Sequence, residues 1–131
     1  MGAFAGKRGW RGYLQPLLGG ELNGLLTSVL VGAAWGFWHI VNYQYGAVYL
    51  LSFVLSTITY SLVITWLIRD AGWDLILPLL FHLAVSLGSY IFSNVLTETR
   101  YMVLNSLVWI AAAGLVFLFN RKSFLASPLT G

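Results

Sequence analysis

Four long apolar runs constrain the fold of this 131-residue chain more than any other feature. They cover approximately residues 22–41, 47–68, 73–92 and 102–119, and a helix needs about 20 apolar residues to cross a bilayer. The runs are continuous rather than alternating, and they are too long for single strands, so they predict helices. The expected fold class is therefore all-α, a polytopic transmembrane bundle of about four spans in a single membrane domain, residues 1–131.

The composition indicates that lipid surrounds most of the chain. Only 8% of the residues are charged and 59% are hydrophobic, with a mean hydropathy of +0.81. A soluble domain usually carries about a quarter charged residues, so the expected partner of this surface is the lipid bilayer. The net charge of +3 is too small to indicate nucleic acid. The chain has no cysteine, which excludes disulfides and a thiolate site.

The basic residues predict an orientation. Four spans would place both termini on one side of the bilayer, together with the loop that follows residue 68. Arg100 would lie alone on the opposite side. The other basic residues would share the side of the termini, namely Lys7, Arg8, Arg11, Arg69, Arg121 and Lys122. Lysine and arginine gather on the cytoplasmic face, so we expect an integral membrane protein with cytoplasmic termini. Residues 1–20 would then form an interfacial segment and residues 120–131 a tail.

Small residues recur at every fourth position of the first run. Gly24, Ser28, Gly32 and Gly36 would form a flat stripe on one helix face, which suits close approach of a second helix. The alternative is that glycine is simply common in membrane helices. The helix face that bears Trp35 and His39 is offset from this stripe by one residue. His39 should therefore lie near a seam between helices.

The two histidines of the chain are the main candidates for a functional site. His39 shares a helix face with Trp35, and His82 shares one with Ser86 and Ser89. Titratable groups inside a hydrocarbon-length segment are costly, so they indicate function by default. The pair could activate water and stabilise an oxyanion, bind a metal, or hydrogen-bond neighbouring helices as structural groups. With the expected span limits, His39 and His82 would lie at depths in the bilayer that differ by ~13 Å, at roughly 1.5 Å of helix rise per residue.

A metal is the weakest of these alternatives. Structural and catalytic zinc sites use three or four protein ligands, and the chain offers neither a third histidine nor a cysteine. The carboxylates all fall at expected span ends, at Glu21, Asp70, Asp74 and Glu98. We therefore expect no metal and no other cofactor.

Three short motifs, taken in order, resemble those of a known family. Gly9-Trp10-Arg11-Gly12-Tyr13-Leu14 precedes the first run, Trp35-Gly36-Phe37-Trp38-His39 lies within it, and His82-Leu83-Ala84-Val85-Ser86 lies in the third. These strings resemble the CAAX-protease and bacteriocin-processing family of intramembrane endopeptidases, also called CPBP or Abi proteins. The resemblance covers most of the chain.

The resemblance implies roles for particular residues. In the family, a glutamate and a histidine are thought to activate the attacking water, and a second histidine and an asparagine to stabilise the oxyanion. On that template His39 orients or activates water, and Trp35 replaces the family's phenylalanine. His82 stabilises charge with Ser86 as a shorter partner, and Arg11, which could orient a carboxylate or snorkel to the lipid headgroups, has no carboxylate of the family pair to hold. The substrates would be peptides or membrane-associated proteins, and the expected location is a prokaryotic plasma membrane.

The chain also departs from the family pattern. Gly6 and Lys7 stand where the family has its glutamate pair, and Ser86 stands where it has asparagine or aspartate. We therefore expect a hydrolase that is impaired as written, resembling the C-terminal part of such an enzyme, either as a fragment or as a natural degenerate form. Another copy or a partner chain could supply the missing acid. The alternative is a non-enzymatic membrane protein that serves in bacteriocin self-immunity or as an accessory partner-binding protein.

Overall fold

The computed structural model describes residues 12–39, 44–69 and 76–126, and this part of the chain is helical, with no strand. Six helices follow one another: α1 Gln15–Gly19, α2 Gly24–Trp38, α3 Ala47–Arg69, α4 Ile76–Phe92, α5 Glu98–Phe119 and α6 Arg121–Leu125. The predicted all-α bundle is therefore confirmed.

Helix α3 forms the centre of the bundle. It packs extensively against α2 on one side and α5 on the other, and it carries more buried residues than any other helix described. Helix α4 packs more lightly, and Pro78 is its one buried residue. Pro78 lies in the first turn of α4, where a backbone N–H has no intrahelical partner, so the proline does not disrupt the helix. The exposed leucines of α4 face the surroundings of the bundle, as expected for contact with lipid.

Local capping sets where the apolar helices begin. The Asn23 side chain accepts a hydrogen bond from the Leu26 backbone N–H at 2.9 Å, which starts α2 at Gly24. Thr97 caps α5 in the same way, and Glu98 adds a negative charge in its first turn. Gly46, with φ of 92°, precedes α3 in a left-handed conformation that favours glycine.

The small-residue stripe lies in the seam between α2 and α3. All four of its members are buried. A Cβ built on Gly32 would lie 2.5 Å from the Cα of Ile58, and one on Gly36 would lie 2.6 Å from the Thr57 hydroxyl oxygen. The prediction of close helix approach is therefore confirmed, because a methyl group at these positions would push the two helices apart.

Two short helices lie at the end of the bundle where α3 stops. Gln15 of α1 is fully buried and donates a hydrogen bond from Nε2 to the Thr65 hydroxyl at 2.6 Å. Arg69 hydrogen-bonds Ser123 of α6, and Phe124 is 1% exposed. The sequence assigned residues 120–131 to a tail, but residues 121–125 form a packed helix, because Phe124 buries its ring beside Phe117 and the core around Leu62.

Two of the four expected spans reach full membrane length. Helices α3 and α5 have 23 and 22 residues and are apolar enough to cross a bilayer, whereas α2 and α4 have 15 and 17 residues. Helix α2 begins after the Asn23 cap and ends at the His39 cap, within the expected span 22–41. Helix α5 begins at Glu98 after the Thr97 cap, before the first residue of the expected span 102–119.

Candidate functional site

A cavity of about 290 Å³ opens between α2, α3, α4 and α5. The cavity is lined by four residues that the sequence predicted for the site, namely Trp35, His39, His82 and Ser86. Ser89, which shares the His82 face, lines it as well. The structure thus brings together two histidines that are far apart in the chain, in a cavity that is partly open to the outside.

The His39 side chain folds back along its own helix. Its Nδ1 lies 2.9 Å from the Trp35 carbonyl oxygen, one turn earlier. A carbonyl oxygen can only accept, so in the neutral imidazole Nδ1 carries the proton and Nε2 carries a lone pair. This contact holds the ring beside the last turn of α2. The ring also packs on Phe53, with centroids 5.5 Å apart.

Trp35 connects the two sides of the cavity. Its indole ring lies 5.9 Å from the His82 ring and 6.2 Å from the Tyr60 ring, measured between centroids. The residue that replaces the family's phenylalanine therefore packs directly against the second histidine. The Trp35 indole therefore helps to hold the imidazole of His82 in place on the otherwise lightly packed α4.

The two serines of α4 differ in their surroundings. The Ser86 side chain is exposed, so the structure leaves this predicted partner of His82 at the open side of the cavity. Ser89 is partly buried and lines the cavity together with Tyr101 of α5.

A polar cluster beside the cavity was not predicted from the sequence. Asn105 of α5 donates from Nδ2 to the Tyr60 hydroxyl and, at 3.1 Å, to the Ser56 hydroxyl. Tyr60 and Ser56 line the histidine cavity and are 6% and 1% exposed. The signal that could have predicted this cluster is an asparagine inside the fourth apolar run, because such a side chain tends to hydrogen-bond across to another helix.

A second cavity adjoins the first. It has a volume of about 430 Å³, lies between α4 and α5, and is lined almost entirely by apolar side chains. Val85 and Tyr101 line both cavities, and Asn105 lines the second. The Asn105 cluster therefore lies at the boundary between the histidine cavity and the apolar second cavity.

Other predicted groups lie elsewhere. Arg11, Gly6, Lys7, Asp70 and Asp74 fall outside the described residues. Within residues 12–39, 44–69 and 76–126, no three histidine, aspartate or glutamate side chains come together in a way that could hold a metal ion. The expectation that the protein works without a metal stays a prediction.

Comparison with known proteins places this geometry in context. The sequence model of one family, described as Type II CAAX prenyl endopeptidase Rce1-like, matches residues 4–88. The CAAX prenyl protease 2 of Methanococcus maripaludis is 28% identical over 127 residues, a match that covers 88% of this chain and 46% of that protein. The Lysostaphin resistance protein A of Staphylococcus haemolyticus is 32% identical over 94 residues, which cover 70% of this chain and 26% of that protein.

The chain thus spans less than half the length of these two relatives. No solved structure matches it significantly. The matched region includes all three sequence motifs and both cavity histidines. Since this region is well over half of the chain, the protein belongs to the Rce1-like family of type II CAAX prenyl endopeptidases.

Proposed function

We propose that this chain is an intramembrane peptidase domain that hydrolyses a peptide bond of a membrane-associated protein or peptide. The observation that carries the proposal is the common cavity of His39 and His82. A hydrolase needs a place where water, a carbonyl group and two polar side chains can meet. The cavity supplies that place in a bundle whose other surfaces are mostly apolar.

His39 is the group that orients or activates the water. Its Nδ1–H is held by the Trp35 carbonyl oxygen, so Nε2 is the nitrogen that can accept a proton. In the reaction the water oxygen adds to the carbonyl carbon, the carbonyl π electrons move onto its oxygen, and a water proton passes to Nε2. The C–N bond then breaks, and the leaving nitrogen takes up that proton. His82, across the cavity, stabilises the negative charge on the oxygen.

Hydrolysis by the chain as written is expected to be slow. Gly6 and Lys7 stand where the family carries its glutamate pair, so the chain lacks the carboxylate that would share the activation of water with His39. Arg11 likewise lacks the carboxylate that it would orient. We expect the remaining activity to come from the two histidines alone, unless a partner chain or second copy supplies the acid.

Restoring the glutamates tests this proposal directly. The double variant Gly6→Glu/Lys7→Glu, reconstituted in vesicles, should cleave a CAAX-type prenylated peptide at least about 100-fold faster than the unchanged chain, since acid–base groups contribute about 10²–10⁴-fold. Adding His39→Ala or His82→Ala should abolish that gain while leaving thermal unfolding unchanged within a few degrees. The matched control is Gly6→Gln/Lys7→Gln, which has similar side-chain size without the charge.

A gain in rate that survives both histidine substitutions would show that the pair is not catalytic. Absence of any gain favours the second candidate, a non-enzymatic membrane protein that acts in self-immunity or partner binding. The observation that favours this candidate is the Gly6-Lys7 pair itself. It predicts that cells expressing His39→Ala or His82→Ala keep the protective phenotype of the unchanged chain.

The proposed setting is a prokaryotic plasma membrane with both termini in the cytoplasm. Arg69 and α6, which contains Arg121 and Lys122, lie at the same end of the bundle. Arg100 is at the opposite end of α5. This distribution supports the orientation because basic residues favour the cytoplasmic face.

A further inference from the structure

We propose that the Tyr60 hydroxyl is an additional oxyanion donor of this site, and that Asn105 is the residue that positions it. This inference rests on the proposed peptidase function. It assigns the hydrogen bond that the family's third motif would provide through an amide, where this chain has Ser86. Ser86 is a poor replacement because its short side chain lies at the exposed side of the cavity.

Tyr60 has the right location for this role. It lines the same cavity as His39 and His82, and its ring lies 6.2 Å from that of Trp35, which in turn packs on His82. A phenol is a strong donor to a developing negative charge in a site of low polarity. The hydroxyl would give the oxygen a second donor beside His82.

The Tyr60 ring is held rigidly. It makes edge-to-face contacts with Trp109 at 5.1 Å and with Phe81 at 5.6 Å, and these two rings also contact each other at 5.1 Å. A donor fixed in advance stabilises a transition state without having to reorganise during the reaction. The ring packing on three helices therefore provides the preorganisation that such a group needs.

Asn105 determines which way the hydroxyl can donate. Its amide N–H groups donate to the Tyr60 oxygen and to the Ser56 oxygen. The Ser56 hydroxyl donates to the Ser52 carbonyl oxygen at 2.8 Å. Because the Asn105 amide approaches Tyr60 as a donor, the phenolic proton is directed away from it. A bound carbonyl oxygen in the cavity would be an acceptor for that proton.

The test uses binding rather than turnover, so it does not depend on the missing glutamates. The probes are a phosphinic tripeptide with leucine-like side chains on both sides of the phosphinate, and the same tripeptide with an ordinary amide. The phosphinate carries a charged tetrahedral oxygen like that of the intermediate, and the amide does not. Their Kd values would be measured on the full chain in lipid nanodiscs.

Tyr60→Phe should weaken phosphinate binding about 10- to 100-fold, as expected for loss of a hydrogen bond to a charged group, and leave binding of the amide peptide unchanged. Asn105→Leu should have a similar but smaller effect. Because Asn105 acts through the hydroxyl, the double variant should be no worse than Tyr60→Phe alone. The control Tyr90→Phe removes the same atom from an exposed ring on α4, and it should change neither Kd.

Each other outcome contradicts part of the argument. If Tyr60→Phe weakens both probes equally, or neither, the donor assignment is overturned while the peptidase proposal stands. If Tyr60→Phe does not fold, the same comparison with Asn105→Leu decides. If the unchanged chain binds neither probe, the proposed function itself fails, and the role of Tyr60 fails with it.

Discussion

At the scale of single residues, buried polar side chains specify how this bundle assembles. The central helix α3 carries several buried serines and threonines, and most of them hydrogen-bond a carbonyl of their own helix, such as Thr65 to Ser61 at 2.8 Å. A few instead connect helices. The bond from Gln15 to Thr65 joins α1 to α3, and the Asn105 cluster joins α5 to α3. In an apolar surrounding these bonds select one arrangement of helices from many that pack similarly well.

Thr65→Val provides a test at this scale. It keeps the shape of the side chain but leaves the fully buried Gln15 amide without its partner on α3, so the free energy of unfolding should fall by about 1–2 kcal/mol. The control is Thr59→Val, because the Thr59 hydroxyl bonds only the Ser56 carbonyl on the same helix. Both would be compared by thermal unfolding in detergent. Equal effects of the two variants would mean that the bond to Gln15 does not stabilise the bundle.

The double variant Gln15→Leu/Thr65→Val distinguishes the loss of the hydrogen bond from the change in side-chain shape. Replacing both partners with apolar groups also removes the buried amide that Thr65→Val deprives of this bond, so the stability should recover most of the loss seen in Thr65→Val. A double variant less stable than either single one would contradict this explanation.

At the scale of elements, the seam between α2 and α3 fixes the position of His39. The histidine caps α2, whose glycines lie directly against the α3 backbone near Thr57 and Ile58. A shift of α2 along this seam would move the imidazole relative to His82. The packing of α2 on α3 therefore supports the fold and also sets the position of His39 in the cavity.

Gly32→Ala should destabilise the protein, because its methyl group would meet the Ile58 Cα at 2.5 Å and the Thr57 carbonyl oxygen at 2.8 Å. Overpacking of this kind costs about 1–3 kcal/mol. The matched control is Gly114→Ala on α5, which meets nothing within 4 Å and should be neutral or stabilise by up to about 1 kcal/mol through helix propensity. Thermal unfolding of both variants checks this, and a tolerated Gly32→Ala would mean that the seam can widen without cost.

The elements also show what the sequence could and could not predict. The apolar runs predicted the helices, and the four-residue spacing predicted the small-residue seam, because both patterns follow from helix geometry alone. The bounds of α2 depended on Asn23 and His39 acting as caps, and side-chain hydrogen bonds of this kind override hydropathy at helix ends. Tyr60 and Asn105 were missed because aromatic and single polar residues in an apolar run are usually interpreted as packing. Their pairing depends on how α3 and α5 are rotated, which no local pattern reveals.

At the scale of the whole molecule, the distribution of charge gives the bundle two different ends. The chain contains no cysteine, so single-cysteine reporters can be introduced without interference. Ala126 follows α6 at the end that contains Arg69 and Ser123, and Asn94 lies between α4 and α5 at the other end. Both side chains are exposed.

A membrane-impermeant thiol reagent should label Asn94→Cys in intact bacterial cells and Ala126→Cys only after the cells are opened, since the basic end should face the cytoplasm. Labelling in opened cells controls for accessibility of both positions. The reverse pattern would overturn the proposed orientation, and equal labelling in intact cells would indicate a mixed topology.

Of the four long apolar helices, the two that bear the histidines, α2 and α4, are shorter than α3 and α5. At 15 residues, α2 is about 22 Å long, well below the roughly 30 Å of a hydrocarbon core. Lipid beside α2 and α4 would have to thin to match them, and thinning brings interfacial water nearer to the histidine cavity. The proposed hydrolysis, which consumes water, should therefore proceed faster in vesicles of short acyl chains than in vesicles of long ones.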